Sequence, residues 1–206
     1  MQFKTLALLG ALFIGASAGT AQAALIPYPN VGTANPTLYS FTATGGEVKA
    51  YFVSGGGAGF TNILGLEAGG VDTGINGLNN HTSNPGDSLS FGVFAAGTSL
   101  VFYIDTNGEG GNRYYSDKSR NADNFNHIYS VTYNDGSLPA SIPFGTYVAF
   151  EDLKNGGDKN YNDLAFVFVN VQSGVPEPST WAMMLIGFAG LAALSRRRQS
   201  RALVRV

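Results

Sequence analysis

The sequence predicts an all-β protein, a β-sandwich with a jelly-roll-like order of strands. Glycine makes up 28 of the 206 residues, and only 13% of the residues are charged. Gly, Asn, Ser and Thr fill most of the spaces between short apolar runs, and no helical period joins those runs. Short strands separated by turn residues are typical of two-layer β folds. The two ends differ from this body and predict a signal helix and a transmembrane helix.

Seven apolar runs predict strands, because each is bounded by Gly, Asn, Asp or Pro. In chain order they are Leu38–Thr42, Val48–Val53, Ser88–Ala95, Leu100–Ile104, Ile128–Tyr133, Thr146–Glu151 and Leu164–Val171. The Gly- and Asn-rich stretch from Gly55 to Pro85 predicts one extra strand around Thr61–Leu66, followed by a long loop.

Two of these runs have patterns that predict their place in a sheet. In Ser88–Ala95, the apolar residues Leu89, Phe91 and Val93 alternate with small residues, as in a half-buried strand. Leu164–Val171 is apolar on both faces. Such a strand is expected at the centre of a sheet that is covered on both sides.

The N-terminal residues, 1–23, predict a secretory signal peptide. Lys4 precedes an apolar run from Leu6 to Ile14, and Ala21-Gln22-Ala23 has the small-residue pattern of a cleavage site. Cleavage by signal peptidase between Ala23 and Ala24 would leave a β-sandwich body at residues 24–174. A short buried or transmembrane helix is the alternative, which the short apolar run disfavours.

The C-terminal residues combine three elements in a fixed order. Val175-Pro176-Glu177-Pro178 excludes a regular helix. The apolar residues 181–194 then span roughly 21 Å as a helix, and Ser179, Thr180 and Ser195 extend them toward the thickness of a bilayer. The cluster Arg196, Arg197 and Arg198 predicts that this end and the tail at 200–206 are cytoplasmic.

These three elements resemble the PEP-CTERM sorting signal, which here covers residues 175–199 with a transmembrane segment at 179–195. The resemblance implies recognition and cleavage by an exosortase, a membrane transpeptidase. It also implies a Gram-negative-type bacterium, transient membrane anchoring, and delivery to the cell surface or the extracellular polysaccharide matrix of a biofilm.

The body between the two signals is acidic. It contains six basic and thirteen acidic side chains, a net charge of −7. An acidic body argues against nucleic-acid binding, which needs a basic surface, and is compatible with cation binding. The chain has no cysteine, which excludes thiol catalysis and thiolate zinc sites.

One acidic segment between two predicted strands is a candidate calcium site. A strand ends in Glu151 and Asp152, and a Gly-Gly loop leads to four further oxygen-bearing residues: Asp158, Asn160, Asn162 and Asp163. Calcium prefers six to eight such hard oxygen ligands. The segment is not an EF-hand, because Asp163 stands in place of the required glycine. A hairpin of Asx turns with solvated acids is an equally open interpretation.

This segment also resembles a family of extracellular β domains labelled DUF4114. The matching residues are Phe150, Glu151, Asp152, Gly156, Gly157, Asp158, Tyr161, Asn162 and Asp163, within a resemblance covering roughly residues 88–171. The resemblance implies the fold and a calcium site but no activity. Asn160 stands where an acid is common in that family, which weakens the expected ion binding.

A second loop, at Asp105, Asn107 and Glu109, has the opening of a calcium loop. Ser116 stands where a closing glutamate is needed, so this is the weaker candidate. If the two loops lie at the same end of the sandwich, this one is expected to supply ligands to the first.

No catalytic motif occurs in the body. His81 and His127 are its only neutral-pH bases, and neither lies in a known nucleophile or zinc motif. We therefore expect a non-catalytic protein. A carbohydrate-binding or adhesive module is the main alternative, with Tyr114 and Tyr115 as sugar-stacking candidates, and a secreted hydrolase is the weaker one.

Overall fold

The structure is a computed structural model that describes residues 25–56, 58–108 and 111–174, together with Ile186 and Phe188. Two single-turn 3₁₀ helices lie in the loops of the body, at Lys118–Arg120 and Lys154–Gly156. Eleven strands occur among the described residues: β1 (Ser40–Ala43), β2 (Gly46–Ser54), β3 (Asn62–Ala68), β4 (Val71–Asn79), β5 (Ser88–Phe94), β6 (Ser99–Thr106), β7 (Arg113–Tyr115), β8 (Ile128–Tyr133), β9 (Gly145–Phe150), β10 (Leu164–Val169) and β11 (Val171–Gly174).

The strands form two antiparallel sheets. The six-stranded sheet has the order β11-β1-β6-β3-β4, with β7 paired to β6, and the five-stranded sheet has the order β5-β2-β10-β9-β8. The all-β prediction is therefore confirmed. The jelly-roll-like strand order is not confirmed.

The main core lies between the two sheets. Phe41, Leu64 and Phe102 of the six-stranded sheet share one buried cluster with Phe52 and Phe168 of the five-stranded sheet. The rings of Phe102 and Phe168 stack at 3.9 Å between centroids. Burial of this apolar surface is the main force that holds the sheets together.

Strand β10 lies at the centre of the five-stranded sheet, as its two apolar faces predicted. Phe166 and Phe168 point into the main core, whereas Ala165 and Val167 belong to a second buried cluster. The N-terminal residues 25 and 26 and the loop residues Leu138 and Ile142 belong to or pack against that second cluster. The outer face of this sheet is therefore covered as well.

The prediction of a long loop after residue 66 is wrong, because β3 and β4 form a complete hairpin in that region. β4 is the edge strand of its sheet, and its side chains are exposed or half-buried, including an exposed Val71. A strand that buries neither face needs no apolar alternation, so its sequence does not reveal it. The short strand β7 was likewise not predicted.

The predicted alternation in β5 is also wrong at Val93, which is 78% exposed. Gly92 pairs with Val48 and Ser90 pairs with Lys49, so Phe91 is an extra residue in the strand. Gly92 adopts a φ of 105° at this bulge. Because a bulge shifts the strand by one residue, Phe91 is buried and Val93 turns to the solvent.

The predicted strand Leu164–Val171 is divided between the two sheets. β10 ends at Val169, Asn170 adopts a φ of 59°, and β11 starts at Val171 in the six-stranded sheet. Asn170 Nδ2 donates a hydrogen bond of 2.7 Å to the carbonyl oxygen of Glu47. The chain thus changes sheets at a single residue.

Several predictions concern residues outside the described part of the chain. They are the signal peptide with its cleavage site at Ala23 and Ala24, the motif Pro176-Glu177-Pro178, the cluster Arg196–Arg198, and Glu109. No helix among the described residues is long and apolar enough to cross a membrane.

Candidate metal centre

Three carboxylates meet where β9 ends and β10 begins. Phe150 and Leu164 are paired across these strands, so the residues just outside the pair lie at the same end of the sheet. Those residues are Glu151, Asp152 and Asp163, and one carboxylate oxygen from each lies within 4.8 Å of the others. We call these three residues the acidic triad.

Hydrogen bonds fix the position of each triad carboxylate. Asp163 Oδ2 accepts from the backbone N–H of Asp152 at 3.0 Å, and Glu151 Oε2 accepts from the N–H of Tyr161 at 3.4 Å. Asp152 Oδ2 accepts from Nδ2 of Asn62 at 2.6 Å. These contacts hold three acids close together although their charges repel.

Two of the three triad carboxylates are buried and Asp163 is half-buried, and the triad has no cationic partner among the described residues. Glu151 is 1% exposed and Asp152 is 4% exposed. The arginines of the body pair with other acids, and none of the ion pairs among the described residues reaches the triad. Uncompensated buried carboxylates are unfavourable, and a bound cation would relieve both their desolvation and their repulsion.

The same surroundings raise the pKa of two triad carboxyls. Burial raises the pKa of Glu151 most, and the neighbouring charge of Asp163 adds to it. Burial also raises the pKa of Asp163, with a further contribution from the charge of Asp152. Both effects disfavour the ionised form in the absence of a cation.

Asn62, the first residue of β3, reaches the triad from the other sheet. Its side chain is fully buried, and its Oδ1 has no hydrogen-bond partner among the described residues. Residue 62 lies in the predicted extra strand, and its sequence context predicts no functional role for it. The only signal available was a polar residue at the start of an otherwise apolar run.

The other predicted ligands of this loop bind its own backbone. Both carboxylate oxygens of Asp158 accept hydrogen bonds from Asn160. Oδ1 accepts from the backbone N–H at 3.1 Å, and Oδ2 accepts from Nδ2 at 2.7 Å. Asn160 Oδ1 in turn accepts from the N–H of Asn162 at 3.1 Å. Asp158 is not part of the three-carboxylate cluster, and these contacts within the loop match the Asx-turn interpretation.

The second predicted loop is also engaged in contacts of its own. Both carboxylate oxygens of Asp105 accept from Arg113, at 2.6 and 2.8 Å, and Asn107 Oδ1 accepts from the N–H of Thr61 at 2.8 Å. The loop does lie at the same end as the triad, because Thr106 pairs with Asn62. Asn62 on the neighbouring strand donates to the triad, whereas Asp105 pairs with Arg113 and Asn107 with the backbone of Thr61.

His127 is buried beside the triad and ties the surrounding loops together. Its Nδ1 lies 2.8 Å from the carbonyl oxygen of Glu151, and its Nε2 lies 3.0 Å from Oδ2 of Asp123. Burial lowers the pKa of His127, although both contacts oppose that change. Because both ring nitrogens are engaged, His127 has no free nitrogen for a metal.

The predicted sugar-stacking tyrosines are used within the fold. Tyr114 is buried and stacks on His127 at 3.9 Å between ring centroids. The guanidinium carbon of Arg120 lies 4.0 Å from the ring centroid of Tyr115 and covers that face. The pair therefore does not form an open aromatic platform.

Comparison with known families assigns two segments of the chain. Residues 84–170 match DUF4114, a domain of unknown function, and residues 174–199 match the PEP-CTERM protein-sorting motif. No curated protein and no solved structure matches the chain. The first segment contains the acidic triad but not Asn62, and the second implies export and processing by an exosortase. Residues 84–170 are therefore similar to DUF4114 domains, and the PEP-CTERM sorting motif that follows them implies an exported protein directed to the cell surface.

Proposed function

We propose that the body of this exported protein is a non-catalytic structural module of the cell surface or extracellular polysaccharide matrix, stabilised by calcium. The sorting motif supports the location. The acidic triad is the observation that carries the calcium part of the proposal.

Calcium fits the chemistry of the triad better than a softer metal does. The triad offers only carboxylate oxygens, which are hard ligands. His127 is engaged elsewhere, and the chain has no cysteine. Calcium also accepts irregular geometry and binds backbone carbonyls and water, so three closely spaced acids suit it.

Thermal melting of the exported protein, purified from the producing cells, tests the calcium proposal. Calcium is expected to raise the midpoint and a chelator to lower it, with a gain of about 2.7 kcal/mol when calcium is a hundredfold above its Kd. Asp163→Asn is expected to lose this response without losing stability in chelator, because it removes one of three repelling charges.

Glu67→Gln is the matched control, since Glu67 is a buried acid paired with Arg120 and lies outside the triad. That variant is expected to lose stability but keep its response to calcium. An unchanged midpoint of the wild-type protein at millimolar calcium would contradict the proposal.

Processing at both ends is a separate part of the proposal. We expect signal peptidase to generate an N-terminus at Ala24, and an exosortase to remove the residues that follow the Pro-Glu-Pro motif after transient membrane anchoring. Mass spectrometry of the protein from producing cells measures both ends directly. Detection of a mature protein that retains Arg196–Arg198 would contradict this expectation.

Two further assays separate this proposal from its alternatives. Binding on a glycan array would favour a carbohydrate-binding module. Hydrolysis of polysaccharide or ester substrates, lost on substitution of a triad carboxylate or His127, would favour an enzyme.

A further inference from the structure

We propose that Oδ1 of Asn62 is a fourth ligand of the cation, so that the ion joins the two sheets of the sandwich. This inference rests on the proposed calcium site and adds a ligand from a different part of the chain. The observation behind it is a buried amide oxygen that accepts no hydrogen bond from any described residue.

The amide group of Asn62 lies directly against the triad. Its Nδ2 donates to Asp152 Oδ2 at 2.6 Å. Oδ1 is bonded to the same carbon atom as Nδ2, so it lies within one amide width of that contact. The amide therefore lies beside the acidic cluster, and among the described residues only one of its two polar atoms has a partner.

A purely structural role explains only part of this arrangement. The backbone N–H of Asn62 donates to Oδ1 of Asn80 at 2.9 Å, and Nδ2 holds Asp152. Neither contact requires the other amide oxygen, which is buried at a cost because it has given up its bonds to water. A cation beside the carboxylates would be the missing partner of Oδ1.

An amide oxygen also suits the charge balance of this site. Three carboxylates already exceed the charge of one divalent cation, and a neutral ligand adds coordination without further repulsion. Asn side-chain oxygens are common calcium ligands for this reason. Water and backbone carbonyls would complete the coordination shell.

The consequence for the fold is a link between layers. Asn62 opens β3 in the six-stranded sheet, whereas the triad lies at the ends of β9 and β10 in the five-stranded sheet. Residue 62 also lies outside the segment that matches DUF4114. The site would thus be completed by the N-terminal half of this chain.

Isothermal titration of calcium into the exported protein and its Asn62 variants tests the inference. Asn62→Ala is expected to weaken calcium binding by about tenfold or more, since it removes a ligand. Asn62→Asp is expected to melt at a lower temperature in chelator, because it adds a fourth negative charge, and to bind calcium more tightly than the wild-type protein does.

Asn121→Ala is the matched control, because Asn121 is a buried asparagine whose amide holds Tyr115 and Phe125 rather than the triad. It is expected to lower the melting temperature and leave the calcium Kd unchanged. If Asn62→Ala binds calcium with the affinity of the wild-type protein, Asn62 is not a ligand, although the proposed site at the triad is retained. If that variant does not fold, unchanged or weaker binding by Asn62→Asp would overturn the assignment of Asn62 as a ligand. Absence of calcium binding by the wild-type protein would overturn the site itself.

Discussion

Folding changes the protonation equilibria of two triad carboxyls, those of Glu151 and Asp163. Burial raises the pKa of each carboxyl, and the neighbouring acids raise it further. The calcium-free folded protein therefore holds protons that the unfolded chain has already released at the same pH. This difference links the stability of the fold to pH.

Without calcium, the acidic triad is expected to make the protein less stable as the pH rises. The folded state binds more protons than the unfolded state, so proton binding contributes to stability. This contribution is fully present below a pH of about 4, and it is lost as the pH rises through the raised pKa values of the folded triad. The measurement is the unfolding free energy in chelator across that range, taken as the difference between wild type and Asp163→Asn. Saturating calcium should remove this loss of wild-type stability with rising pH, and a wild-type advantage that grows with pH in chelator would contradict the expectation.

The sequence predicted the acidic residues of this site more readily than it predicted the amide. Glu151, Asp152 and Asp163 are close in sequence and flank two recognisable strands, so their meeting followed from the hairpin. Asn62 lies 90 residues from Asp152 along the chain, and only the packing of the two sheets brings them together. The pattern of Asp158, Asn160 and Asn162 could not distinguish metal ligands from Asx turns, because both use side-chain oxygens at alternate positions.

At the scale of elements, the change of sheet between β10 and β11 depends on Asn170. A φ of 59° is accessible to Asn and Gly but is strained for β-branched residues. The prediction of one continuous strand failed here because the apolar pattern continues through Val171 while the backbone turns. Long apolar runs reveal burial but not the point at which a chain leaves one sheet for another.

Replacing Asn170 with valine is expected to destabilise the fold by about 1–3 kcal/mol, because valine is strained in this conformation. Asn170→Gly retains the backbone freedom and loses only the hydrogen bond to Glu47, so it is expected to cost less than about 1 kcal/mol. Urea denaturation of both variants measures the two effects. Equal losses in the two variants would show that the side-chain hydrogen bond, rather than the backbone, controls this turn.

At the scale of the whole molecule, the matched DUF4114 segment is smaller than the folding unit. Residues 84–170 contain β5 to β10, but β2 lies between β5 and β10 in the five-stranded sheet. The same segment supplies only β6 and β7 to the other sheet. The strands before residue 84 therefore belong to the same sandwich and do not form a separate domain.

A fragment limited to residues 84–170 is expected to remain unfolded, because β10 would lose a neighbour and β6 would lose both β1 and β3. A chain covering residues 24–174 should instead show one cooperative transition. Near-ultraviolet circular dichroism and thermal melting distinguish the two cases. A cooperative melt of the shorter fragment would contradict this assignment of the folding unit.

The pairing of β1 with β11 also sets an order of events for a chain that crosses a membrane from its N-terminal end. The first strand has no partner at one edge until the last strand emerges, since Ser40 pairs with Gly174. Contacts between such distant parts of a chain form slowly. The pairing of β1 with β11 thus ends at Gly174, the residue where the sorting motif begins, so the last pair of this sheet requires the chain to be present up to that motif.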